Sequence, residues 1–305
     1  MSAFRVEHLE NLQDPRLDPF RELRENRVRR LGPVKAPSSP KTSSRADPPE
    51  PRLFIAEGEF VVRQLLLARR DRFRVRAMLV SPERFDRVHA DFESLAQTSP
   101  SQPAPSHDAN PRFDLFVAPS SLIEQVCGFD FHRGIIACGE ELPGPTASQV
   151  ANDSAVLLVL EDLTNHDNVG GLFRVARALG GSRAGVLLSP RCCDPLYRKS
   201  IRVSMGQVFH VPFASFSTWE SLAPQLHGAG FRLFAMTPDA AATDLAQRGG
   251  LGSKPAIMLG SEGPGLTPEA ISSADERIRI AIDPAADSLN VVTAGAIALH
   301  RFVVP

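Results

Sequence analysis

Residues 155–174 read AVLLVLEDLTNHDNVGGLFR. The unbroken apolar run from Ala155 to Leu160 has the form of a strand covered on both faces, as in a parallel sheet. A polar stretch follows. The helix that then begins carries Gly170 and Gly171 early, where the lack of a side chain lets a ligand approach the backbone. Arg174 projects from the same end. In open α/β sheets ligands bind where strands end, so Asn168 and Arg174 become candidate site residues. A helix cap with a surface arginine would account for the bare stretch equally well.

Outward from this unit the pattern repeats. Apolar runs at Arg183 to Leu188, Gln207 to Val211, Phe231 to Ala235, Ala256 to Gly260 and Ile278 to Ile282 read as further strands, with helices between most of them. Asp194 before Pro195 reads as a helix start, and Ser288 as the cap of a last helix through Val292, Ile297 and Leu299. Residues 154–305 are thus expected to be one α/β domain with a mostly parallel sheet. Upstream, a smaller α/β domain is expected over 53–142. It has an entry strand from Leu53, a helix carrying Val61, Val62, Leu65 and Leu66, and strands at Arg76 to Val80, Leu115 to Ala118 and Gly134 to Cys138, with a short helix from Ser121 to Cys127. Residues 1–52 read as an extension with a Pro/Ser-rich stretch from Ala36 to Pro51, Gln97 to Pro111 as an insertion, and 143–153 as a linker.

The chain has 305 residues, enough for two domains each with a core. Its 34 basic and 35 acidic side chains leave a net charge of −1, so any contact with nucleic acid must come from a local patch. The densest basic run is Arg63, Arg69, Arg70, Arg72, Arg74 and Arg76. A solvated helix face would explain it as well as a phosphate-binding surface. Cys127, Cys138, Cys192 and Cys193 lack CxxC spacing and read as reduced thiols of an intracellular protein. No run is long and apolar enough for a spanning helix, and a cytoplasmic location is expected.

Two more clusters fall at strand ends. Leu259-Gly260-Ser261-Glu262-Gly263-Pro264-Gly265-Leu266 is a tight, glycine-rich loop around a single carboxylate, and Ser288-Leu289-Asn290-Val291 opens the last helix. The dinucleotide fingerprint fails, because Pro268 stands where its third glycine would be. No Gly-Lys-Ser/Thr occurs for a phosphate loop. Arg202-Val203-Ser204-Met205-Gly206 lacks the first glycine of a nucleophile elbow. His132, His166 and His210 have no metal-ligand spacing, so no metal is expected.

Together the three clusters resemble the motifs of the SpoU (TrmH-like) RNA 2'-O-ribose methyltransferases of the SPOUT superfamily. Asn168-x-Gly170-x-x-x-Arg174 is similar to the first motif, Gly260-Ser261-Glu262-Gly263-x-Gly265-Leu266 to the second, and Ser288-Leu289-Asn290-Val291 to the third. Asp194 through Gly206 is similar to the segment between the first two. One departure is Asn165 and His166, where members often carry Asp-Pro. The first domain resembles an L30e-like RNA-binding domain through Glu57-Gly58-Glu59 and Gly128 to Gly134.

The resemblance implies a C-terminal trefoil knot, a homodimer, and S-adenosylmethionine held by Met236, Thr237, Leu259, Gly260, Ser261, Glu262, Gly263, Ile280, Ile282, Ser288 and Leu289. It implies methylation of a ribose 2'-hydroxyl in rRNA or tRNA, with Asn168, Arg174, Glu262, Ser288 and Asn290 catalytic. RNA would be gripped by Arg63, Arg69, Arg70, Arg72, Arg133, Arg198, Lys199 and Arg202. A guanidinium stays charged at physiological pH, so the expected part of Arg174 is to hold phosphate and stabilise the developing alkoxide, with Glu262 and Asn168 positioning it and the ribose. The alternative is a catalytically silent RNA-binding protein that keeps the fold.

Overall fold

The computed structural model describes residues 4–21, 52–68, 71–98, 113–131, 134–247, 254–283 and 285–303. The chain divides into two units, 1–143 and 144–305. The first contains β1 (Arg5–His8), β2 (Arg52–Glu57), α1 (Glu59–Leu67), β3 (Phe73–Val80), α2 (Pro82–Thr98), β4 (Asp114–Val117), α3 (Ser120–Cys127) and β5 (Ile135–Glu141). Its sheet has the order β1-β4-β3-β5-β2, with β4 parallel to both neighbours and β5 antiparallel to both of its own.

The N-terminal segment, read as an extension, joins this sheet. β1 pairs with β4, and Leu17 and Phe20 just after it are fully buried. The strand hid from sequence because its polar residues pair laterally, Arg5 with Asp114 and Glu7 with Arg16. Helix α2 was also not read. Its signals are Pro82 in its first turn and Val88 and Phe92 one turn apart, both buried. Ala36–Pro51 and most of the insertion after Thr98 lie outside the described residues.

The second unit contains α4 (Ala147–Asp153), β6 (Val156–Leu160), α5 (His166–Val175), β7 (Ala184–Leu188), α6 (Arg198–Val203), β8 (Phe213–Ser215), α7 (Trp219–Gly228), β9 (Phe231–Met236), β10 (Thr243–Asp244), β11 (Lys254–Leu259), α8 (Pro268–Ser273), β12 (Glu276–Arg279) and α9 (Val291–Val303). The sheet order is β10-β12-β9-β11-β6-β7-β8, every pair parallel. The ends of β12, β9, β11 and β6 therefore share one edge. No helix among the described residues is long and apolar enough to cross a membrane.

Four local readings change. Most of the expected 143–153 linker is helical: Ala147–Asp153 forms α4, Thr146 and Gln149 close a reciprocal capping box, and Val150 and Ala151 are buried in the core of this unit. Gln207 to Val211 is no strand. Met205 (φ 53°) and Gly206 (φ 73°) turn the chain, a 3-10 turn covers Gln207–Phe209, and the edge strand comes later as β8. Burial of Val208, Phe209 and Val211 mimicked the strand pattern. Asp194 accepts from the N–H of Leu196 and makes a turn, so α6 starts only at Arg198. The residue that caps α9 is Asn290, whose Oδ1 accepts the N–H of Val292 at 2.9 Å, and not Ser288.

The glycines of α5 serve packing. A Cβ on Gly170 would lie 2.6 Å from the Ser200 carbonyl of α6, and one on Gly171 would lie 2.8 Å from Val292 of α9. Gly295 of α9 returns the contact, close to Leu172 and Leu259. We expect Gly170→Ala to lower unfolding free energy by about 1–3 kcal/mol, the usual cost of overpacking a dense core. A denaturant midpoint equal to that of the wild type would show that α6 can retreat.

Candidate active site

Three side chains from three distant segments meet at the shared strand edge. Asn168, in the first turn of α5, is 4% exposed. Its Nδ2 donates to Glu262 Oε1 at 2.9 Å. Asn290 Nδ2 lies 3.1 Å from both Asn168 Oδ1 and Glu262 Oε1. The orientation of Asn290 is fixed by the Val292 N–H, which only a carbonyl oxygen can accept. Both amides thus point donors at one carboxylate oxygen, and Oε2 of Glu262 has no partner among the described residues.

The loop that carries Glu262 owes its path to glycine. Gly260 faces the backbone of Gly265 and Leu266 so closely that a Cβ would sit 2.2 Å from the Gly265 carbonyl carbon. Gly263 (φ 87°) and Gly265 (φ 74°) take the left-handed conformation glycine favours, with open space beside them. The Gly265 N–H closes the turn on the Ser261 carbonyl. Loop backbone is consequently open to a ligand here. Half-buried Ile280 and Ile282 and exposed Leu289 add apolar surface in the segment between β12 and α9. Met236 ends β9, and the Thr237 N–H is held by the Ile278 carbonyl. A cavity of about 540 Å³, lined by Leu179, Leu245, Ile280, Ala296 and Ile297 among others, includes none of Asn168, Glu262 and Asn290.

Past β6 lies a second polar cluster that sequence reasoning missed. Asp162 adopts φ 56° and bonds Ser189 Oγ at 2.8 Å, while Arg191 pairs with its other oxygen. Arg191 and Ser189 hold the Asp162 carboxyl below its ordinary range. Beside it, Glu161 is buried and bonded to Trp219 and Thr267. Two carboxylates directly after a fully apolar strand were the available signal. The His166 ring lies tilted against Tyr197 with ring centres 4.1 Å apart, and burial, aided by Lys199, lowers its pKa. Cys192 donates to the Leu160 carbonyl, and burial pushes the Cys193 thiol up to about 12.

Other expected site residues stand apart from the network. Arg174, in the last turn of α5, is exposed and has no hydrogen bond or ion pair among the described residues. Asn168 and Glu262 bond each other and do not hold it. Ser288 is exposed as well. Lys199 pairs with Asp167 at 2.7 Å, and Arg202 is exposed on α6. In the first unit three arginines of the basic run are paired with carboxylates. Arg63 pairs with Glu59 and Asp91, Arg76 with Glu140, and Arg72 with Glu141. Burial lowers the pKa of Arg72, with Glu141 opposing the shift. Arg69, Arg70 and Arg133 lie outside the described residues.

Residues 155–300 match the model of the SpoU rRNA Methylase family. A Mycobacterium tuberculosis protein named "Uncharacterized tRNA/rRNA methyltransferase" is 34% identical over 291 residues, covering 94% of this chain and 88% of that one. The 23S rRNA (adenosine(1067)-2'-O)-methyltransferase of Streptomyces laurentii is 32% identical over 149 residues, 48% of this chain and 54% of its own. Among solved structures, the AdoMet-bound rRNA methyltransferase from Sinorhizobium meliloti superposes with a TM-score of 0.71 over 97% of each chain at 20% identity, a likeness of fold.

Proposed function

The chain belongs to the SpoU rRNA methylase family, and from that premise we propose that it methylates a ribose 2'-hydroxyl in rRNA or tRNA, using S-adenosylmethionine. The observation that carries this is the Asn168–Glu262–Asn290 network, which joins all three motifs at one strand edge. The rRNA 2'-O-methyltransferase among its relatives supports the choice of a ribose hydroxyl.

When bound, the cofactor supplies an electrophilic methyl group. The open backbone of the 260–265 loop suits its polar groups, and Ile280, Ile282 and Leu289 suit an adenine ring, with Met236 and Thr237 beside them at the sheet edge. The residues present therefore fit it. Glu262 and Asn168 orient the ribose, whose alignment with the methyl group is worth roughly 7–11 kcal/mol in reactions of this kind. Arg174, free of partners among the described residues, takes a backbone phosphate and stabilises the alkoxide that forms as the hydroxyl loses its proton, for which the substrate phosphate is an acceptor. Arg198, Lys199 and Arg202 extend the phosphate contacts along α6. A homodimer, a trefoil knot around the cofactor loops and action in the cytoplasm belong to the same proposal.

Calorimetry tests it. S-adenosylmethionine or its demethylated product should bind the metal-free protein with measurable heat and raise its melting temperature. Absence of both signals, with a response to a nucleotide cofactor instead, would refute the reading.

A further inference from the structure

Glu161 is the first residue past β6 and is 4% exposed. Its N–H donates to the carbonyl of Leu259, the last residue of β11, at 2.9 Å. Its carboxylate receives the Thr267 N–H on Oε2 at 2.8 Å, the Thr267 hydroxyl on Oε1 at 2.9 Å, and the Trp219 indole N–H on Oε1. Leu259 and Thr267 flank the loop that carries Glu262. One residue thus grips both ends of that loop and ties it to α7. The loop has few side chains of its own to anchor it, since Gly260, Gly263 and Gly265 contribute none.

We propose that Glu161 is a positioning residue for the 260–266 loop, and that occupation of the cofactor site is transmitted through it to Trp219. This rests on the methyltransferase reading above. Glu161 touches neither ribose nor cofactor and acts through Thr267. Thr267 also caps α8 by accepting the Ala270 N–H, so movement of the loop's end displaces the helix start with it.

The test uses the full chain, S-adenosylhomocysteine as probe, and the indole N–H resonance of the single tryptophan. In the wild type the probe should shift that resonance. Glu161→Gln keeps the length but aims an amide donor at groups that are themselves donors. It should bind the probe about tenfold more weakly or worse, the scale of one lost charge-assisted hydrogen bond, with an indole resonance that no longer responds. Thr267→Val, which loses only the hydroxyl, should be intermediate, and Thr267→Ser should restore wild-type binding and response. A folded Glu161→Gln that binds and responds as the wild type does overturns the proposal. Should that variant not fold, Thr267→Val decides, and wild-type affinity and response there overturn it. Failure of the wild type to bind the probe refutes the methyltransferase reading and this proposal with it, an outcome distinct from a variant that behaves as wild type.

Discussion

Arg174→Ala is expected to cut methyl transfer roughly 10³-fold or more, the range seen when a group that stabilises developing charge is removed. Stability should stay within about 0.5 kcal/mol of the wild type, because the side chain is exposed and bonded to nothing among the described residues. Arg174→Lys should be nearly as inactive, since an ammonium cannot form the two parallel hydrogen bonds by which a guanidinium grips phosphate. The measurement is single-turnover methyl incorporation into total rRNA and tRNA from cells lacking the gene, alongside thermal unfolding. Full activity in the lysine variant would reduce the requirement to charge alone. Full activity in the alanine variant would remove Arg174 from the reaction.

Glu262 should separate position from charge. Glu262→Ala deprives Asn168 Nδ2, on a buried side chain, of its acceptor, and takes one of two acceptors from Asn290. A loss of about 1–3 kcal/mol in stability is expected from the abandoned donor, together with a fall in activity of about 10²-fold or more. Glu262→Gln keeps an oxygen where both amides need one, so the network and the stability should survive. Activity should still fall, because the oxygen that faces outward in the wild type becomes a donor. Denaturant unfolding and the same single-turnover assay read the two effects separately. A glutamine variant at wild-type rate would make Glu262 a spacer between two asparagines.

The alternation of apolar runs and polar loops is enough to read the parallel sheet, and the places of Asn168, Glu262 and Asn290 at strand ends point to one sheet edge. What stayed hidden depended on partners remote in sequence. Gly170 and Gly171 look like room for a ligand until α6 and α9 are seen pressed against them. Arg72 and Arg76 read as a basic run in sequence, and only β5 brings Glu141 and Glu140 to pair with them. Ser288 and Asn290 have equal capping chemistry in sequence, yet it is Asn290 that caps the helix and reaches Asn168 and Glu262 at once. Glu161 went unread because the partners that give it its task, Trp219 and Thr267, lie 58 and 106 residues away.

The bond between Asn290 and Asn168 spans 122 residues. On a ribosome adding roughly 5–20 residues per second, Asn168 emerges roughly 6–24 seconds before Asn290 exists to meet it. Until Leu259 is made, β6 also lacks β11, one of its two sheet neighbours. Until then the nascent second unit carries a wholly apolar strand with one edge open, and only the stretch that opens α9 supplies Asn290 to the proposed network. A chain shortened by a premature stop before β11 ends synthesis in that open state, as a substrate for chaperones and proteases.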